Sequence, residues 1–148
     1  MPFLISSEII KEIAEWLDSG MLCFYHTPTG EIEYYPDILR GHPGFDEEMW
    51  QEVIDKVEEN YHEYIRFEGM DSHESFKIME NFVSDITEAS IRQRFEDAIS
   101  FTKPFQNFKQ LLSIYPVLKK QWFDYKNQQY MEWVQEQVEN YDSSSKEE

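Results

Sequence analysis

Cysteine occurs once in this chain, at Cys23, which excludes an internal disulfide and a zinc site built from paired cysteines. Nowhere does an apolar run approach the ~20 residues that a membrane-spanning helix requires. The opening MPFLISSEIIKEIAEW has neither a basic leader nor an apolar stretch of signal-peptide length, so the expected compartment is the cytoplasm, with no membrane partner. Cations are scarce: 13 Lys and Arg stand against 30 Asp and Glu. The resulting net charge of −17 repels nucleic acid and anionic membranes as a whole-molecule field. The chain also lacks a G-x-S-x-G elbow, a P-loop and a dinucleotide-binding glycine pattern, so no motif names a reaction.

What is present points to a folded protein. With 41% apolar residues and 16% aromatics over 148 positions, the chain has material for one core. The expectation is a single α+β domain over 1–141, followed by a disordered acidic tail at 142–148. Charge is unevenly spread. The stretch Ile91 to Lys126 holds seven cations (Arg92, Arg94, Lys103, Lys109, Lys119, Lys120 and Lys126) against only Glu96, Asp97 and Asp124. Two readings stand: basic and acidic elements face each other in the fold, or a local basic patch receives an anionic ligand.

Periodicity sets out the elements. Glu8 to Asp18 places Ile9, Ile13, Trp16 and Leu17 at helical spacing, with Ser7 as cap and Gly20 as stop. Leu22 to His26 and Glu31 to Tyr35 read as a hairpin around Thr-Pro-Thr-Gly, with one half-buried face. Residues 36–46 form a loop, Glu47 to Asn60 a helix, and Tyr61 to Glu68 a third strand, welcome because a lone hairpin is marginal in water. From Asp71-Ser-His-Glu74, a capping box, the chain reads as helical. Further helices start near Thr87 and at Lys103-Pro104; Pro116 ends one, and the last runs from Leu118 to about Tyr141. The fold class is thus a small three-stranded antiparallel sheet with about five or six helices, the C-terminal half all helical.

Few residues offer chemistry. Cys23 and His26 have a C-x-x-H spacing but would face opposite sides of a strand, so no metal and no cofactor is expected. His26, His42, His62 and His73 are scattered, and carboxylates are too abundant to discriminate. The basic aromatic stretch could stack and neutralise single-stranded nucleic acid. Yet Phe95, Phe105, Phe108, Tyr115, Trp122 and Phe123 sit at helix spacing, the pattern of a core. Tyr125 lies off that stripe and is the ring expected to be exposed.

Several short motifs recur together: Asp71-Ser-His-Glu-Ser-Phe76 with Met79-Glu-x-Phe82, Arg94-Phe95 with Ala98, Lys103-Pro-Phe105-x-x-Phe108-Lys109, and Trp122-Phe-x-Tyr125-Lys126. In order and spacing, with the Tyr25…Thr29-Gly30-Glu31 hairpin, they resemble the small bacterial proteins called uncharacterised protein family 0158. The resemblance implies a bacterial, cytoplasmic, single-domain protein and brings no catalytic residues with it. The expected function is a non-catalytic protein-interaction or regulatory module with an unknown protein partner, contacted through Arg92, Arg94, Lys103, Lys109, Trp122, Tyr125 and Lys126. The alternatives are a hydrolase-type enzyme on a small or nucleotide-like substrate, with His26 or His62 as base, and single-stranded nucleic-acid binding through 91–126. Oligomeric state is left open.

Overall fold

The structure, a computed structural model, describes residues 5–37 and 47–146. Most of the expected loop at 36–46, with His42, lies outside the described residues, as do the last two positions of the expected tail.

Helix α1 (Ser7–Asp18) begins where the Ser6 hydroxyl accepts the Ile9 amide at 3.3 Å, one residue before the expected cap. It stops at Gly20, which takes a left-handed φ of 91° and whose N–H donates to the Leu17 carbonyl at 3.1 Å. Ile10, Ile13, Ala14 and Leu17 form the buried stripe. Strands β1 (Met21–His26) and β2 (Ile32–Pro36) are the expected antiparallel hairpin, with Leu22 opposite Tyr35 and Phe24 opposite Glu33. Helix α2 (Glu47–Glu59) follows the loop.

The third strand is shorter than its alternation suggested. Tyr61–Glu63 winds into a single 3-10 turn, closed by the Glu63 N–H on the Asn60 carbonyl at 2.8 Å, and β3 is Tyr64–Phe67. Of the alternating positions only Ile65 and Phe67 are buried, so nothing holds Tyr61 against a sheet. The order is β2-β1-β3, which puts β1 in the centre. That placement corrects the expectation of one buried face: Leu22, Cys23 and Phe24 are all buried. Trp16 of α1 stacks on Tyr34, beside Cys23, with ring centroids 3.8 Å apart. Val57 of α2 joins Leu22 and Phe24 on the other face, flanked by Tyr35 and Tyr64.

Four helices complete the chain. α3 (Ser72–Ser84) starts at Asp71, whose carboxylate accepts the Glu74 amide at 2.8 Å. α4 is Ala89–Ser100 and α5 is Pro104–Leu112, with proline in the first turn where no N–H is needed. α6 is Pro116–Lys146. Pro116 therefore opens a helix instead of ending one, for the same reason as Pro104. Six α-helices and a three-stranded antiparallel sheet among the described residues give an α+β fold with an all-helical C-terminal half. Among the described residues no helix is long and apolar enough to cross a membrane.

The chain groups into two compact units. The first comprises the sheet, α1, α2 and the α6 residues from Tyr130 onward. There Tyr130, Val134 and Val138 are buried at helical spacing, and Glu68 is held from both sides of its peptide. Its N–H donates to Gln137 Oε1 at 3.2 Å, while its carbonyl accepts Trp133 Nε1 at 2.8 Å and Gln137 Nε2 at 3.2 Å. The second unit, Met70–Gln129, holds α3, α4, α5 and the start of α6.

Candidate functional site

The second unit is organised on a cluster of rings. Phe108 lies 4.9 Å from Trp122, 5.6 Å from Phe95 and 6.2 Å from Phe82, each pair steeply tilted, the arrangement that ring quadrupoles favour. Met79, Val83, Ile86, Ile99 and Leu112 fill in around them. Trp122, expected as a contact, is 9% exposed and belongs to this core. The adjacent positions Trp122 and Phe123 cannot share a helix face, and it is Phe123 that remains 47% exposed. Tyr125, expected as the exposed ring, is half-buried, with its ring 5.7 Å from Phe82 and 6.2 Å from Trp122. Phe123 takes the exposed place instead. The rings that a nucleic-acid platform would need are mostly packed against each other.

Beside this core lies an open groove of about 490 Å³. The α3–α4 turn, Asp85-Ile86-Thr87-Glu88, lines one side, and Val117, Leu118, Gln121 and Tyr125 of α6 line the other. Phe82 and Ile91 complete the lining. The α6 contributors fall at i, i+1, i+4 and i+8, one face of a helix. Val117 is 72% exposed, an unusual setting for a branched apolar side chain at the first turn.

The candidate cations divide by role. Arg92 donates from Nη1 to the Ile86 carbonyl at 2.9 Å, and its Nε lies 3.6 Å from Glu96. It therefore braces the turn that walls the groove. Arg94 Nη1 donates to Tyr115 Oη at 2.7 Å and so fixes the residue preceding α6. Lys103 is exposed and adopts a left-handed backbone, φ 56°, ahead of α5. Lys109 is exposed on α5, and Lys120 pairs with Asp124 at 3.7 Å. Lys126 Nζ sits 5.9 Å from the centroid of Phe123, and falls about half a turn round α6 from Val117. Of the seven named contacts, Tyr125 lines the groove; Arg92, Arg94 and Trp122 hold its frame; Lys103, Lys109 and Lys126 lie away from its lining.

A second polar cluster belongs to the first unit. His26, half-buried at the end of β1, has Nδ1 2.7 Å from Thr29 Oγ1 and Nε2 3.4 Å from Glu63 Oε1. Its ring is 4.8 Å from that of Tyr64. The Thr29 hydroxyl also accepts the Glu31 amide at 3.3 Å, which ties it into the turn. His62 and His73 are exposed. Nearby, Lys56 Nζ donates to Glu33 Oε1 at 2.8 Å, and this hydrogen bond, aided by the carboxylate charge, raises the ammonium pKa. Burial raises the Tyr64 phenol, against the lowering effect of Lys56. Burial, and then the charge of Glu12, pushes the Cys23 thiol up to about 12. The sequence offered His26 or His62 as a base; Glu63 as the partner of His26 was hidden, because it is 37 positions away and lies in a 3-10 turn instead of a strand.

Residues 9–146 match the family described as "Uncharacterised protein family (UPF0158)". The chain belongs to this family. A UPF0158 protein of Pseudomonas aeruginosa is 27% identical to it over 116 residues, covering 77% of this chain and 76% of the relative. No solved structure matches the chain.

The motifs that carried the resemblance have structural duties in this UPF0158 chain. Asp71 caps α3, Pro104 opens α5, and Met79, Phe82, Phe95, Phe108 and Trp122 form the ring core. Of the motif rings, Phe82 and Tyr125 line the groove. Most of the motif content thus specifies packing, and the groove is the surface that this packing presents.

Proposed function

We propose that this UPF0158 chain is a non-catalytic, cytoplasmic protein-interaction or regulatory module whose contact surface is the groove between the α3–α4 turn and the start of α6. The observation that carries the reading is an apolar groove on a closed ring core, with Val117 left 72% exposed at its edge. Tyr125 contacts the partner, while Arg92, Arg94 and Trp122 keep the walls in place. Lys103, Lys109 and Lys126 lie outside the groove's lining and add little to the contact itself. The test is affinity capture from native-salt lysate with the wild type, Val117→Glu and Lys109→Glu. A discrete partner held by the wild type and lost with Val117→Glu is the expected result. Equal recovery by Val117→Glu, or no specific partner at all, removes the reading.

One observation favours a second reading, a small hydrolase-type enzyme. His26 lies between a hydroxyl and a carboxylate, an arrangement in which an imidazole can take a proton while a carboxylate orients it. Turnover of nitrophenyl ester and phosphate substrates that His26→Ala abolishes would support it; identical background rates for both proteins would end it.

A further inference from the structure

We infer that the occupant of the groove is a segment of a basic protein in which a bulky apolar side chain lies close to a Lys or Arg; this rests on the interaction reading above. The groove's lining is of two kinds. Ile86, Ile91, Val117 and Leu118 give an apolar surface whose covering is favourable in proportion to its area. Asp85 and Glu88 give the lining its charge, and both are exposed.

The two acids differ in how far their charge is offset. Asp85 is the C-cap of α3, where the last helical carbonyls already carry partial negative charge, and the last turn of α3 contains no basic residue. Glu88 is the N-cap of α4 and accepts the Ser90 hydroxyl at 3.3 Å, and Arg92, on the Ile86 carbonyl and 3.6 Å from Glu96, lies on the same turn, so Asp85 is the less screened of the two acids. The α6 side of the groove brings Val117, Leu118, Gln121 and Tyr125, none of them charged. Lys119 and Lys120 fall off that face, and Lys120 is paired with Asp124. The local field is therefore that of a cation acceptor next to an apolar seat.

Dimensions narrow the occupant. Val117 and Tyr125 are eight residues apart on α6, so at 1.5 Å per residue the floor is roughly 12 Å long. That is about four extended residues or two turns of a docked helix. The groove is open along its length, which suits a segment laid into it.

The experiment measures fluorescence anisotropy with synthetic ten-residue peptides carrying one Leu or Phe at varied spacing from Lys or Arg. Matched sets replace the cations with Glu, or the apolar residue with Ala. The basic apolar set should bind, binding should weaken as salt rises, and both matched sets should fail. Asp85→Asn with Glu88→Gln should weaken binding about fivefold, as expected for two exposed charges, and flatten the salt dependence. Circular dichroism checks that each variant is folded. Acidic peptides binding equally well, undiminished binding by the charge-neutralised variant, or no binding by any basic apolar peptide overturns the inference. A partner captured by the wild type and lost with Val117→Glu would still stand in that last case, so the two failures are distinguishable.

Discussion

Raising the pH from 7 to 12 tests the burial of Cys23 with a predicted sign and size. The thiol is fully buried on the central strand, and burial raises its pKa from an ordinary 9.0 to about 12. Below pH 9 it is neutral whether the chain is folded or not, so it gives no pH dependence there. Above pH 9 the unfolded thiol ionises while the folded one keeps its proton, and ionisation draws the equilibrium towards the unfolded state. Stability is therefore intact below the unfolded pKa and falls through the window from 9 to about 12. At ~1.4 kcal/mol per pH unit, the loss reaches roughly 4 kcal/mol by the top of that window, a large share of a typical domain's 5–15 kcal/mol. The phenols of Tyr35 and Tyr64, also raised by burial, add to the loss in the same direction. Cys23→Ala separates the thiol's part. Urea unfolding of both proteins followed by circular dichroism from pH 7 to 11 should show the wild type losing between about 2 and 3 kcal/mol more than the variant. In parallel, Ellman's reagent at pH 8 should label Cys23 only at the rate at which the structure opens. Parallel pH profiles for the two proteins, or labelling at the speed of a free thiol, would refute the reasoning.

Further outcomes follow from single contacts. Phe95→Ala, which empties a site of 0% exposure next to Phe108 and Tyr115, should cost about 3–5 kcal/mol in chemical denaturation. Trp133→Phe keeps the ring but removes the donor to Glu68; a loss of about 1 kcal/mol is expected, growing when Gln137→Ala has already removed the second donor to the same carbonyl. Lys103→Gly relieves a left-handed backbone ahead of α5 and should raise the melting temperature, with a gain of up to about 1 kcal/mol after the entropy of glycine is set against the strain.

Local chemistry makes the helices legible in the sequence. Gly20 needs its positive φ, Asp71 caps through its carboxylate, and Pro104 fits the first turn of a helix; each is a decision made within four residues. Pro116 was misplaced because a proline suits both the end of one helix and the start of the next, and only packing chooses. The sheet was half legible. Alternation located the hairpin, but burial on both faces of β1 depends on α2 and on β3 taking the outer position, which no local pattern reports. Alternation also overran β3, since the residues Tyr61 to Glu63 obey it without being held by it. The groove was hidden for a related reason: Asp85 to Glu88 and Val117 to Tyr125 are some thirty positions apart in sequence, and their convergence is a tertiary fact. A signal was present in the spacing of Val117, Leu118, Gln121 and Tyr125 behind Pro116, a weakly polar stripe on a charged helix. The basic stretch misdirected attention, because Arg92 and Arg94 turned out to be braces with partners of their own.

Site-specific photocrosslinking in living cells tests the central claim most directly. A photoreactive residue is placed at Val117 or Gln121, which line the groove, and at Phe123, exposed on another face of the same helix. The account predicts one discrete crosslinked partner from positions 117 and 121, and none from 123. The same partner captured from position 123 with 117 and 121 silent would contradict it.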